Sequence, residues 1–446
     1  MASRRSFLGA AAASALAAPQ GKPNFLFFLP DQWRPDWMPG NASIPVRLPH
    51  IAALAARGMR FRHVLCASPL CAPSRACLAT GREYKDANVA SNQHDFPLSQ
   101  ATYYQSLQKA GYHTMACGKI DLHKKTLDWG LDGQRLLPEW GFSAGIDNAG
   151  KGDAVRSGAS APKDPYMAML HKRELASAHV ADFRARRGYS ATHNTPLPDD
   201  AYCDNWIAEN AKQLLAGAPK GKPWHLVVNF TGPHNPMDIT ASMERGARDR
   251  AYPAPNASTE FDDGIHQKIR QNYTAMCENI DRRIGEIVDA VARRGELENT
   301  LIVFSSDHGE MLGDHNRWGK HVPYQASAGV PLIVAGLDVQ RSRTSDALAS
   351  LIDISATFLD YGGCEPLPGM AASSLRPVLT GQTKKHRDVL HSALEEWRLV
   401  WDGRYKLIEG FQGETMLFDL QHDPLENKNL VTLEKDQVTR LRKRLI

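Results

Sequence analysis

Residues 66–82, CASPLCAPSRACLATGR, bring three cysteines, two prolines and two arginines into one short run. Elsewhere, polar residues able to do chemistry directly follow short apolar runs. Asp31 and Gln32 follow NFLFFLP (24–30), Gly118 and Lys119 follow HTMAC (113–117), His234 follows WHLVVNF (224–230), and Asp307 and His308 follow TLIVFSS (300–306). Aspartate and histidine are metal-ligand types, and lysine binds oxyanions as a point charge. One Asp-His pair after a strand is usually a turn or a cap. Several such endings with compatible chemistry point to one site.

The apolar runs are nearly continuous, as strands buried on both faces of a parallel sheet should be. Helical spacing lies between them. In 273–295, Met276, Ile280, Ile284, Ile287 and Val291 recur at three and four residues, and a second pattern spans 98–111. Strands alternating with helices predict a doubly wound α/β sheet. Ligands of such sheets bind outside the carboxyl ends of the strands, so Asp31, Lys119, His234, Asp307 and His308 should meet at one edge. Residues 142–200 turn to Gly, Ala, Ser and Pro with scattered charge and read as a long irregular loop. Asp402-Gly403 between two alternating runs signals a hairpin. We read residues 21–364 as the catalytic α/β domain and 365–446 as a small antiparallel subdomain.

The 446 residues suit one large domain with an appendage. A net charge of +4 without a basic stripe excludes nucleic acid as the expected partner. The N-terminus carries Arg4 and Arg5, an apolar stretch of small residues and Ala15-Leu16-Ala17. Residues 1–18 therefore read as a twin-arginine-type signal, which predicts export to the periplasm or beyond. No later stretch has the roughly 18 apolar residues a membrane span needs, so no membrane association is expected after cleavage. The seven cysteines are odd in number and fit no disulfide framework.

Cys71-Ala72-Pro73-Ser74-Arg75, followed by Leu78, Thr80, Gly81 and Arg82, resembles the signature of the type I sulfatases in the alkaline phosphatase-like superfamily. The resemblance extends to Asp31, Gly118-Lys119, Pro233-His234, the segment SDHGEMLGDHNRWGKHVPYQASAGVPLIV and the C-terminal LFDLQHDPLENKNL. It implies an α/β sandwich, with a large, mostly parallel mixed sheet between helices and a small C-terminal antiparallel sheet. It implies hydrolysis of an organic sulfate ester, of a carbohydrate or an aryl alcohol, through formylglycine made from Cys71 by a formylglycine-generating enzyme. A thiol suits such turnover poorly, because a sulfated thiol has no easy exit, whereas a hydrated aldehyde carries a second hydroxyl to expel sulfate.

By the same resemblance Asp31, Gln32, Asp307, His308 and residue 71 hold one divalent cation, calcium first, with magnesium or manganese as alternatives. Arg75 would hold the oxygen of residue 71, Lys119 and Lys320 would clamp sulfate, and His234 would be the general acid. Gln32 departs from the commoner second aspartate. The family's Gly-Lys-x-His places Asp121 where histidine is usual. His123 either takes over that task or is a surface residue. The alternative activity on the same fold is phosphonate monoester or phosphodiester hydrolysis, since sulfate and phosphate are both tetrahedral oxyanions. A binding module that has lost its activity would not need an oxidisable nucleophile.

Overall fold

The computed structural model describes residues 21–446, so the export segment expected at 1–18 lies outside the described residues. The main sheet has eight strands: β1 (Asn24–Phe28), β2 (Gly58–Leu65), β3 (His113–Gly118), β4 (Ala144–Asp147), β5 (Trp224–Asn229), β6 (Thr300–Phe304), β7 (Leu332–Ala335) and β8 (Arg343–Ser350). They pair in the order β4-β3-β5-β1-β6-β7-β2-β8, and β7 alone runs against the rest. The expected apolar runs are β3, β5, β1 and β6, which are consecutive neighbours in the sheet. Their parallel pairing brings their carboxyl ends side by side.

Alternation along each strand feeds two cores. Leu26 and Phe28 pack on one face, with helices Cys203–Gly217 and Asp263–Arg293. Phe25 and Phe27 pack on the other, with helices Cys71–Thr80, Tyr103–Lys109 and Asp353–Gly362. Both faces are covered, which is why every residue of β1, β5 and β6 is buried. Trp33 and Trp37 are fully buried on the face of Leu26 and Phe28.

The helix expected at 273–295 begins ten residues earlier, where the Asp262 carboxylate accepts the Ile265 N–H at 2.9 Å. Its first turns hide from periodicity because their buried positions are mostly polar: His266, Arg270, Gln271 and Asn272 beside Ile269. The helix expected at 98–111 is trimmed to Tyr103–Lys109 by a Thr102–Gln105 capping box.

Residues 142–200 are not an irregular loop. They form edge strand β4 and helices Lys151–Gly158, Pro165–Lys172 and Ala176–Ala185. These helices run only two to three turns, too short for an amphipathic period to stand out from Gly, Ala and Ser. The signal that was present is Asp164-Pro165, an N-cap and a first-turn proline.

Four further strands, β9 (Leu390–Leu394), β10 (Trp397–Trp401), β11 (Tyr405–Phe411) and β12 (Glu414–Asp419), make a separate antiparallel sheet in the order β12-β11-β10-β9. The expected hairpin joins β10 to β11, with Asp402 Oδ1 accepting the Arg404 and Tyr405 N–H groups. Residues 365–389 lead to this sheet across the main domain, whose core takes Leu375, Val378 and Leu379. No helix among the described residues is long and apolar enough to cross a membrane.

Gly118 closes β3 at φ 101°, and a Cβ there would stand 2.0 Å from the Asn229 carbonyl oxygen. Gly118→Ala should therefore cost about 3 kcal/mol or more, from positive φ and backbone overlap together. Urea unfolding measures it, and an unchanged midpoint would refute the close approach of β3 and β5.

Candidate active site

Asp31 lies just beyond β1, and Asp307 and His308 just beyond β6, its sheet neighbour. Cys71 is the first residue of a helix whose ten residues are all buried. One ligand atom each from Asp31, Cys71, Asp307 and His308 lie within 4.8 Å of one another. Cys71 Sγ is 3.3 Å from His308 Nε2 and 3.8 Å from both Asp31 oxygens. The helix is fixed at its start by Ser74 Oγ, which donates to the Asp307 carbonyl at 2.6 Å. The Asn92 side chain accepts the Ala72 N–H at 3.0 Å. That bond satisfies an end amide that Leu70, at the cap position, cannot.

Arg75 sits one turn below Cys71. Its Nε donates to Asp307 at 3.0 Å, and its Nη1 donates to the Lys119 carbonyl and to Asn229 Oδ1 at 2.7 and 2.8 Å. It thus braces the ends of β6, β3 and β5 and balances Asp307, and its buried Nη2 has no hydrogen-bond partner among the described residues. Lys119 contacts Asp31 and lies 3.0 Å from Asp121. A Cβ on Gly150 would come within 2.7 Å of Lys119 Cε, so that glycine leaves room for the lysine.

Burial alone would raise the Asp31 carboxyl, but Lys119 and Lys320 hold it well below the usual carboxylate range. Burial and Asp31 likewise push the Cys71 thiol up, while Lys119, Lys320 and Lys124 bring it down to about 7. The donor set fits a hard divalent cation. Two buried carboxylates, an imidazole and residue 71 face one point, and the Lys119 ammonium already lies against one of those carboxylates.

Gln32 has the left-handed φ of 69°. Its backbone is clamped, donating to Asp307 Oδ1 at 3.0 Å and accepting from Tyr273 at 2.7 Å. Its side-chain amide donates to Glu310 and accepts from Lys320. It therefore ties Lys320 to the Asp31, Cys71, Asp307 and His308 cluster. Lys320 also lies 2.7 Å from His234 Nε2, and His234 Nδ1 is 2.5 Å from the Asn235 carbonyl. Burial and the neighbouring Lys320 hold His234 well below the ordinary imidazole range, so it is neutral here. Nδ1 then donates to the carbonyl and Nε2 accepts from Lys320.

His123 is neither a surface residue nor part of this cluster. It is 2% exposed, packed between Trp129 and Trp140, with Nδ1 3.6 Å from Asp147. Burial lowers its basicity. The side chains that occupy the region are Asp121, at φ 58°, and Lys124, which pairs with Asp121 at 2.7 Å. Sequence reasoning also passed over Glu310. Its carboxylate accepts from Gln32, Tyr189, Leu312 N and Gly319 N, joining the metal-side loop to the Lys320 loop. Glu310 stood inside the quoted SDHGEMLGDH segment and could have been read there. Tyr189 had no signal.

The cluster opens into a cavity of about 270 Å³ lined by Asp31, Cys71, Lys119 and His234. The family model described as Sulfatase matches residues 23–364, and one described as N-sulphoglucosamine sulphohydrolase, C-terminal, matches residues 313–446. The chain belongs to the sulfatase family and is a sulfuric ester hydrolase. It is 25% identical to an arylsulfatase of Clostridium perfringens, over 95% of this chain and 94% of that one. It is 26% identical to a choline-sulfatase of Rhizobium meliloti, over 92% and 82%. The phosphonate monoester hydrolase structure of Agrobacterium radiobacter superposes with a TM-score of 0.78 at 22% identity, covering 95% of this chain and 94% of that one. That likeness concerns the fold.

Asp307→Ala should weaken calcium and magnesium binding far more than Gln32→Ala, because it deletes a charged ligand while Gln32 is neutral. Titration calorimetry decides; equal affinity in wild type and Asp307→Ala would exclude this site.

Proposed function

We propose that Cys71 is converted to formylglycine by a generating enzyme and that the site cleaves the sulfate ester of a sugar-like alcohol into alcohol and inorganic sulfate. The observation that carries this is the Cys71 thiol at a helix start, within reach of Asp31 and His308 and facing Lys119 in the cavity. The thiol stands where the hydroxyls of the hydrated aldehyde would be. That hydrate carries two hydroxyls on one carbon: one attacks sulfur, and the other expels sulfate as the aldehyde re-forms. A divalent cation, calcium on our reading, would be held by Asp31, Asp307, His308 and residue 71, with Gln32 beside them, and would supply Lewis acidity.

The remaining work falls to side chains. Lys119 and Lys320 neutralise the ester oxygens. Lys320 shares its proton with His234 Nε2 across 2.7 Å, so the pair is the acid for the departing alcohol. This refines the role assigned to His234 alone, since its neutral ring must receive the proton it passes on. The lining favours a polyhydroxy alcohol: it is mostly charged and amide groups, with Leu127 its one large apolar residue. We further propose, on the Arg4-Arg5 leader, that the mature enzyme acts outside the cytoplasm.

Peptide mass spectrometry of active enzyme should find an aldehyde at residue 71, and Cys71→Ala should lose several orders of magnitude in turnover while still folding. Full activity with an unmodified thiol would overturn the assignment. A parallel assay of 4-nitrophenyl sulfate and a phosphonate monoester tests the ester class.

His234→Ala should cost about 10²–10⁴-fold on a sugar sulfate and much less on 4-nitrophenyl sulfate, whose leaving group needs no proton. His123→Ala should lower stability without that leaving-group pattern. The reverse result would move the proton path to His123.

A further inference from the structure

One wall of the cavity is built from Lys119, Lys124 and Lys125 and from the start of helix Lys151–Gly158. It is strongly cationic. Lys124 and Lys151 are buried there, Lys125 is exposed, and Arg156 has a side chain 59% exposed. Lys124 is matched by Asp121 and Asp153 at 2.7 and 2.9 Å, and Lys151 by Asp238 at 2.7 Å. Arg156 shares Asp153 with Lys124. Lys125 has no ion-pair partner among the described residues, where its backbone N–H is held by Asp95 at 2.9 Å.

Asp31 and Asp307 belong to the cation cluster, so they do not balance this wall. The cations lining the cavity are Lys119, Lys124, Lys125, Lys151 and Arg156, and the carboxylates paired with them are Asp121, Asp153 and Asp238, five positive groups against three negative. A sulfate monoester brings one negative charge. It leaves positive charge uncompensated, and the two solvent-exposed cations of the wall are Lys125 and Arg156, the latter sharing Asp153 with Lys124. No aromatic side chain lines the cavity to hold an aryl ring or a quaternary ammonium.

Resting on the sulfatase reading, we infer that the alcohol part of the substrate carries a second anionic group, a carboxylate or a further sulfate, and that Lys125 and Arg156 are the residues that select for it. A cationic alcohol such as choline is disfavoured by the same wall, through like-charge repulsion. The second charge would act mainly in binding, since it takes no part in breaking the S–O bond, and therefore in KM more than in kcat.

The test compares three probes on aldehyde-bearing enzyme: a hexose monosulfate, a hexose disulfate and a hexuronate monosulfate. At least one dianionic probe should exceed the monosulfate by about tenfold or more in kcat/KM, through KM, as expected of a charge-assisted contact. Lys125→Ala combined with Arg156→Ala should bring that ratio close to one. Both side chains are exposed, so the variant should fold. A readout that does not depend on turnover is titration calorimetry of the Cys71→Ala protein, where the favoured dianionic probe should bind more tightly than the monosulfate and lose that margin at high salt. Preference for the hexuronate alone or for the disulfate alone would support the inference and name the group.

If 4-nitrophenyl sulfate is hydrolysed but neither dianionic probe gains, or choline sulfate is the best substrate, the inference falls and the sulfatase reading stands. A preference that survives the double substitution would overturn the assignment to these two residues. If no sulfate ester is hydrolysed by aldehyde-bearing enzyme, the sulfatase reading itself fails.

Discussion

Two fully buried carboxylates, Asp31 and Asp307, set the plan of this site. A charge taken out of water costs several kcal/mol unless opposite charge and hydrogen bonds surround it. Asp307 obtains them from Arg75, the Gln32 N–H and its own neighbour His308 N–H, and Asp31 from Lys119. Those partners come from the nucleophile helix and from the ends of β1, β3 and β6. The sheet order that puts β3, β5, β1 and β6 side by side is therefore also the arrangement that makes the carboxylates tolerable. The same concentration of charge suits the group to a divalent cation, and its lysines bring the Cys71 thiol down to about 7 despite its burial.

The C-terminal sheet completes this arrangement. Lys320 is presented on a loop held from both sides. From the main domain, Glu310 accepts the Gly319 N–H at 2.7 Å. From the small sheet, Trp397 Nε1 donates to the His321 carbonyl at 3.0 Å and Lys406 Nζ to the Pro323 carbonyl at 2.8 Å. Lys406 is fully buried and pairs with Glu426, whose other oxygen accepts the Gln325 N–H at 2.6 Å. A subdomain that reads in sequence as an appendage thus fixes the height and direction of a lysine in the site. Buried ion pairs of this kind add little net stability but penalise any other arrangement, because a lone buried charge is costly.

Much of the fold and the centre of the site was legible because both are written locally. A strand buried on both faces must be apolar along its length, and the chain turns at its end, so NFLFFLP-Asp31 and TLIVFSS-Asp307 announce element and ligand together. The segment 142–200 was not legible, and the cost was functional as well as architectural: it carries Lys151, Arg156 and Gly150, which line the cavity. Short helices stabilised by tertiary packing leave little periodic trace.

What the sequence by itself determined is the set of strand endings, the Cys71–Arg75 signature and the chemistry of the residues there. Each depends on neighbours within a few positions. What only the tertiary structure decided is how side chains from distant segments share their partners. Gln32 bonds to Glu310 and Lys320, some 280 residues away in the chain. Arg75 braces strand ends that lie far from its own helix in the chain. Past Lys119, Asp121 turns through a left-handed φ of 58°, which sends His123 between two tryptophans and Lys124 into the cavity. No periodicity encodes such a turn. Its direction is chosen by the buried lysines that Asp121 must neutralise, and those arrive only when the strands have assembled.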